Sequence, residues 1–209
     1  MCLLKSHFYS LCPKMTLKYS AIDAVSKDRE LNLEQIASLS ISNLQMLLDN
    51  MKLPLAVGPI NDEDYAILTS GYSQLEWDNG FSSYGNRDDK FEFCLKLLAG
   101  PLRHIPSGAA LCTFDEESGV IEIHFVESFV KQDDVSHPLY GNMFMITLWG
   151  VYLFGSAVGC TEIRIPEALN HKVACHYKKF GFEGDLNLLS APFATISDVV
   201  RRYTTSKKK

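Results

Sequence analysis

The stretch NHKVACHYKKFGF, residues 170 to 182, reads as a short helix that leaves an asparagine and stops at a glycine. Asparagine suits the position before a first helical turn, because its side-chain oxygen accepts from an N–H that no helical carbonyl reaches. Gly181 ends the helix, and Phe182 begins an apolar return toward a sheet. The pattern predicts a helix over 168–179, with CTEIRI (160–165) ahead of it as a short strand. Further upstream lies MFMITLWGVYLFGSAVGC (143–160), which has no charged side chain. An apolar run of about 18 residues meets the lower limit for a transmembrane helix. Neither end carries a Lys or Arg cluster to orient a span, so we read it as a helix buried on most sides. Its Gly150, Gly155 and Gly159 would admit a close neighbour or loosen the helix end.

Upstream again, FEFCLKLLAG (91–100), GAALCTF (108–114) and GVIEIHFVESFV (119–130) read as three strands, the last two joined through DEESG as a hairpin. In the third, strict alternation places Ile121, Ile123, Phe125 and Phe129 on one face and Glu122, His124 and Ser128 on the other. The segment 32–50 repeats apolar residues at helical spacing and opens on Asn32 with Gln35 three residues later, a capping-box start. LKYSAID (17–23) reads as a strand. Residues 53–89, rich in Asn, Asp, Gly and Ser between aromatics, read as a surface connector or a substrate-facing loop, with a short helix near 62–70. The order βαβββαβαβ implies a mixed α/β domain with helices covering a sheet.

The 209 residues suffice for one core, and 46% hydrophobic against 22% charged residues is a globular composition. With a formal net charge of −5 and the basic residues scattered until RRYTTSKKK, no basic face is expected and no nucleic-acid partner. The six cysteines form no CxxC pair and mostly sit in apolar runs, as reduced, buried thiols would; no structural metal is expected. The N-terminal MCLLKSHFYSLCPKM lacks the form of a secretory signal, which points to the cytoplasm. Met15 offers a second start, so the expected division is an extension (1–14), one domain (15–203) and a basic tail (204–209).

NHKVACHYKKFGF resembles the C-terminal motif of the GNAT superfamily of acetyl-CoA-dependent N-acyltransferases, N-x-x-A-x-x-x-Y-x-x-x-G-F. Asn170, Tyr177, Gly181 and Phe182 fall at matching spacings, with Val173 in place of alanine. The element order over roughly 90–183 is also similar to that family's. The resemblance implies an α/β (α+β) fold, a mixed and mostly antiparallel central sheet flanked by helices. It also implies acetyl-CoA or another acyl-CoA as co-substrate, and a primary amine on a small molecule or a protein as acceptor. A membrane span at 143–160 would separate the two halves of such a site. An oligomer is compatible with all of this.

The resemblance also implies residue roles. The backbone of Val126, Glu127 and Ser128 would pair with the pantetheine arm as a further strand would, and Asn170 would contact the same region. The amides of Gly141, Asn142, Met143 and Phe144, at a helix N-terminus, would meet the pyrophosphate. Here HPLYGNM departs from the family's R/Q-x-x-G-x-G/A, with Pro138 and Met143 at two of its positions. Glu122 is the candidate base for the amine, with His124 as its alternate, and Tyr177 the candidate acid to the departing thiolate. The acidic stretches 61–64 and 76–78 lean toward a basic acceptor. The altered phosphate loop motivates a second reading, a GNAT-fold binding or regulatory module without catalysis.

Overall fold

Asn32 starts the first helix as its sequence requires. Its side chain accepts from the Gln35 N–H at 2.9 Å, and Gln35 Oε1 accepts from the Asn32 N–H at 3.1 Å. In the computed structural model, which describes residues 31–85, 87–100 and 105–206, this opens α1 (Leu33–Asn50). There follow β1 (Leu55–Gly58), α2 (Asp62–Ile67), a wide helical turn at Leu68–Tyr72, α3 (Trp77–Ser83), β2 (Phe91–Ala99), β3 (Gly108–Asp115) and β4 (Val120–Ser128). The second half contains α4 (Met143–Val158), β5 (Glu162–Ile165), α5 (His171–Lys178), β6 (Glu183–Gly184), β7 (Leu189–Pro192) and α6 (Phe193–Ser206). The strand expected at 17–23 and the extension 1–14 lie outside the described residues. The last helix runs to Ser206, past the expected start of a tail at 204.

The seven strands form one sheet in the order β1-β2-β3-β4-β5-β7-β6, antiparallel throughout except for β4 beside β5. The DEESG hairpin forms as read: Gly119 takes φ 68°, and Asp115 Oδ1 accepts from the Glu117 and Ser118 amides. Two apolar layers cover the sheet. On one face Phe93, Leu95, Cys112, Phe114, Ile121 and Ile123 meet α1, α4 and α6; on the other Ala109, Leu111 and Phe125 meet Trp77 and Phe81 of α3 and Leu68.

α4 explains its own composition. At 16 residues it is about 24 Å long, short of a bilayer span, and it is buried continuously from Met143 to Val151. Among the described residues no helix is long and apolar enough to cross a membrane. Its glycines act as read. A Cβ on Gly150 would fall 2.9 Å from Leu95, one on Gly155 2.7 Å from Phe193, and Gly159 ends the helix at φ 72°.

Two readings change. The strict alternation of β4 fails, because the β3–β4 register shifts between Leu111 and Cys112 and leaves His124 as an extra residue. A bulge of this kind turns the following side chains over. Phe125 therefore packs against Trp77, while Val126 joins Ile121 and Ile123 on the α4 face. The helix of the NHKVACHYKK segment begins at His171 rather than 168, because Asn170 is held as its cap.

Candidate active site

β4 and β5 pair only at Val120–Glu162, Ile121–Ile163 and Glu122–Arg164, then diverge. The divergence frees one edge of β4, and register says which groups it exposes. The Phe129 N–H donates to the Ser107 carbonyl at 2.9 Å, so in the alternation of an antiparallel pair Glu127 also bonds toward β3. The N–H and C=O of Val126 and Ser128 then point away from β3, toward the open edge. A cleft of about 280 Å³ lies there, walled by His124, Phe125 and Val126 of β4, Pro166 and Leu169 after β5, Val173 and Tyr177 of α5, and Leu75 and Tyr84 from the early connector.

Tyr177 is half-buried, with its ring 4.3 Å from that of Phe144. Burial pushes its phenol up to about 12, so it stays protonated, and a donor, at any working pH. Phe144 also meets Phe180 at 5.1 Å, which makes its side chain the platform under Tyr177.

A smaller cavity of about 180 Å³ adjoins the cleft, lined by Arg87, Lys90, Thr113 and Glu122 and sharing Tyr84, His124 and Pro166 with it. Glu122 accepts from Lys90 Nζ at 2.5 Å. His124 stands on the wall between the two spaces. Its ring stacks on Tyr84 at 4.1 Å, and its Nε2 lies 2.9 Å from Thr113 Oγ1. Burial, aided by Lys90 and Arg87 and opposed by Glu122, lowers its pKa to about 4. A neutral imidazole of that kind is a weak base at pH 7.

The same shift predicts a pH dependence of stability. Between about pH 4 and 6.5 the unfolded chain binds a proton at His124 that the folded chain does not, so stability rises with pH across that window. His124→Gln is expected to flatten the slope between pH 4.5 and 6.5 by up to roughly 2–3 kcal/mol, read from urea midpoints. An unchanged slope would show that His124 is not held neutral.

At the start of α4, Gly141 takes φ 66°, and the first helical bond runs from the Ile146 N–H to the Asn142 carbonyl. The amides of Met143, Phe144 and Met145 are therefore those a helix leaves to other partners. The Asn142 N–H is spent on the Leu139 carbonyl at 3.0 Å, and its side chain donates to the Pro138 and Tyr140 carbonyls. Met143 turns into the core, where a Cβ on Gly108 would meet its sulfur at 2.6 Å, so the side chain does not stand over the helix end. Asn170 Oδ1 accepts from the Val173 N–H at 3.0 Å, and its side chain caps α5.

The structure thus gathers Val126, Tyr177 and His124 in one cleft and Glu122 next door. It brings in Tyr84, Arg87, Lys90, Thr113 and Pro166, which spacing did not single out. Two of these, Tyr84 and Arg87, come from the segment 53–89. The acidic stretches are partly spent on structure: Asp64 pairs with Lys96 and Asp78 accepts from Tyr65. Of the cysteines, Cys112 and Cys160 are buried, Cys94 is partly covered, and Cys175 is exposed. A larger cavity of about 460 Å³, between α1, β1 and β2, holds none of the residues named for chemistry.

No protein-family model matches the chain, and no curated protein matches it. Solved structures do. An uncharacterized protein from Bacillus halodurans is similar over 73% of this chain and 91% of its own, at 12% identity and a TM-score of 0.52. AtaTR bound with AcCoA is similar over 70% and 98%, at 18% identity and 0.49. The ribosomal-protein-S18-alanine N-acetyltransferase from Escherichia coli is similar over 66% and 94%, at 8% identity and 0.47. Likeness at such identities is a likeness of fold. It meets here a bulged β4 splayed from a parallel β5, a helix N-terminus beyond the open edge and an Asn-to-Gly-Phe helix beside the splay: the chain has a GNAT-like fold.

Proposed function

We propose that the chain is an acyl-CoA-dependent N-acyltransferase acting on a primary amine by direct transfer in a ternary complex. The observation that carries this is the open edge of β4, where the outward backbone of Val126 and Ser128 adjoins a cleft that also holds Tyr177. These groups fit a pantetheine arm, which pairs with a strand edge as a strand does. The free amides and positive dipole end at Met143–Met145 fit a pyrophosphate, with Gly141 giving the turn that reaches it.

Acyl-CoA bound there supplies an activated acyl carbon and a thiolate leaving group. Val126 and Ser128 orient it, and Phe144 props Tyr177 so that its hydroxyl donates at the sulfur. The acceptor enters beside Glu122, which takes the ammonium proton directly or through one water. Lys90 holds that carboxylate in place, and Asn170 serves the site by fixing the start of α5.

Acetyl-CoA or a longer acyl-CoA is expected to raise the melting temperature, with transfer to at least one member of an amine panel. Glu122→Gln should lower kcat by about 10²-fold with acyl-CoA affinity unchanged. A panel of acyl-CoAs with no effect on melting would sink the proposal. Acyl-CoA binding without transfer would favour the binding module instead.

A further inference from the structure

β4 presents two faces of one short segment to two different tasks. Val126 and Ser128 turn their backbone outward at the open edge, and Glu127 between them sends its side chain beneath the sheet. There it is buried, 8% exposed, and accepts three hydrogen bonds from a single connector. The Gln74 N–H reaches Oε1 at 2.5 Å; the Leu75 N–H reaches Oε2 at 3.3 Å and the Trp77 indole N–H at 2.8 Å.

All three donors are N–H groups, and an ionised carboxylate is the side chain that only accepts. An apolar residue at 127 would pack against Trp77 equally well, yet it would leave those donors buried and unpaired. Burying a carboxylate is costly, so the arrangement makes sense where the connector must be held in one place. What the connector contributes is Leu75, which lines the cleft together with Tyr84 and Tyr177. Glu127 joins other anchors between α2 and α3: Leu68 is buried in the Trp77 cluster, Leu75 packs against that cluster, and Ser73 Oγ lies 2.9 Å from the Leu68 and Leu75 carbonyls, while Gly71 sits at φ 84°.

We infer that Glu127 is a positioning residue that locks the connector Ser73–Trp77 to the thioester-binding strand, so that the Leu75 wall of the donor cleft is set by the strand that holds the donor. The inference rests on the acyltransfer reading for its functional half, while the lock itself can be read without activity.

The test uses the full chain with Glu127→Gln, Glu127→Ala and Trp77→Phe. Hydrogen exchange at the Gln74 and Leu75 amides should speed up by about tenfold or more in Glu127→Ala and less in Glu127→Gln, with β3 amides unaffected. Trp77→Phe, which keeps an aromatic ring at this buried position and removes one donor, should leave the Gln74 amide protected. On the amine found for the wild type, Glu127→Gln should raise the acetyl-CoA KM about tenfold and leave the acceptor KM within about threefold.

Unchanged exchange at Gln74 and Leu75 in a folded Glu127→Ala would overturn the lock. Equal rises in both KM values would overturn its role in shaping the donor cleft. A wild-type chain that transfers no acyl group refutes the acyltransfer reading, and the exchange result still decides whether Glu127 holds the connector.

Discussion

Tyr177→Phe should slow acyl transfer by about 10²- to 10³-fold while changing acyl-CoA affinity by less than about threefold. The ring would keep its place on Phe144 and the hydroxyl alone would go, so loss confined to kcat isolates the donor. The raised pKa sharpens what that donor does. A phenol near 12 facing a thiolate whose acid lies near 8.5 would give up its proton at a cost of about 5 kcal/mol. In the proposed reaction Tyr177 would therefore stabilise the departing sulfur by a hydrogen bond, and the proton the thiol finally carries would come from the amine or from solvent. Two consequences can be measured in one series. The wild-type kcat profile should show no limb from Tyr177 below about pH 11, and Tyr177→Phe should lower the profile evenly without moving its shape. A Tyr177→Phe enzyme with unimpaired kcat would remove Tyr177 from the chemistry.

The central strands β2 to β5 and the α5 motif were legible because each rests on local signals, whereas β1 lies in a segment read as a connector. Asn170, Gly181 and Phe182 mark the two ends of one helix, and DEESG with the runs beside it can form little but a hairpin. The charge-free α4 was legible as buried because its flanks lacked basic residues. What spacing could not show was the bulge at His124, since the extra residue makes its sense only against the partner strand. That single shift moved Phe125 to the Trp77 side and left Glu127 facing a connector more than fifty residues earlier in the chain. Helix α3 was hidden for a related reason. WDNGFSS has weak helix propensity, and the burial of Trp77 and Phe81 under the sheet overrides it. Lys90 and Tyr84 reach the site through the same tertiary packing, so a reading by spacing passes them by. Glu122 was found from its strand position, but its partner was not.

Asp64→Ala should cost about 3–5 kcal/mol of stability, the largest single loss expected outside the apolar core. Asp64 is nearly fully buried on α2 and pairs with Lys96 of β2, whose side chain is itself 14% exposed. Removing the carboxylate strands an ammonium under the sheet, and it also removes the acceptor for the Asn61 N–H in the α2 capping box. The double variant Asp64→Leu with Lys96→Met removes both charges, and should recover all but the cap, to within about 1–2 kcal/mol of wild type. Urea midpoints with an unchanged m-value would measure both, and the cycle should give a coupling of about 2 kcal/mol or more. Additive losses would mean that the pair is solvated and contributes little. The reason to expect coupling is the size of α2. Six residues are too few to hold a helix by their own hydrogen bonds, so the segment needs an external tie to the sheet. Asp64–Lys96 ties its start to β2, and Glu127 ties the connector beyond it to β4. Between these two carboxylates runs the stretch that carries Leu75 to the cleft, so a chain that loses the first tie should also lose part of the cleft wall that the second one sets.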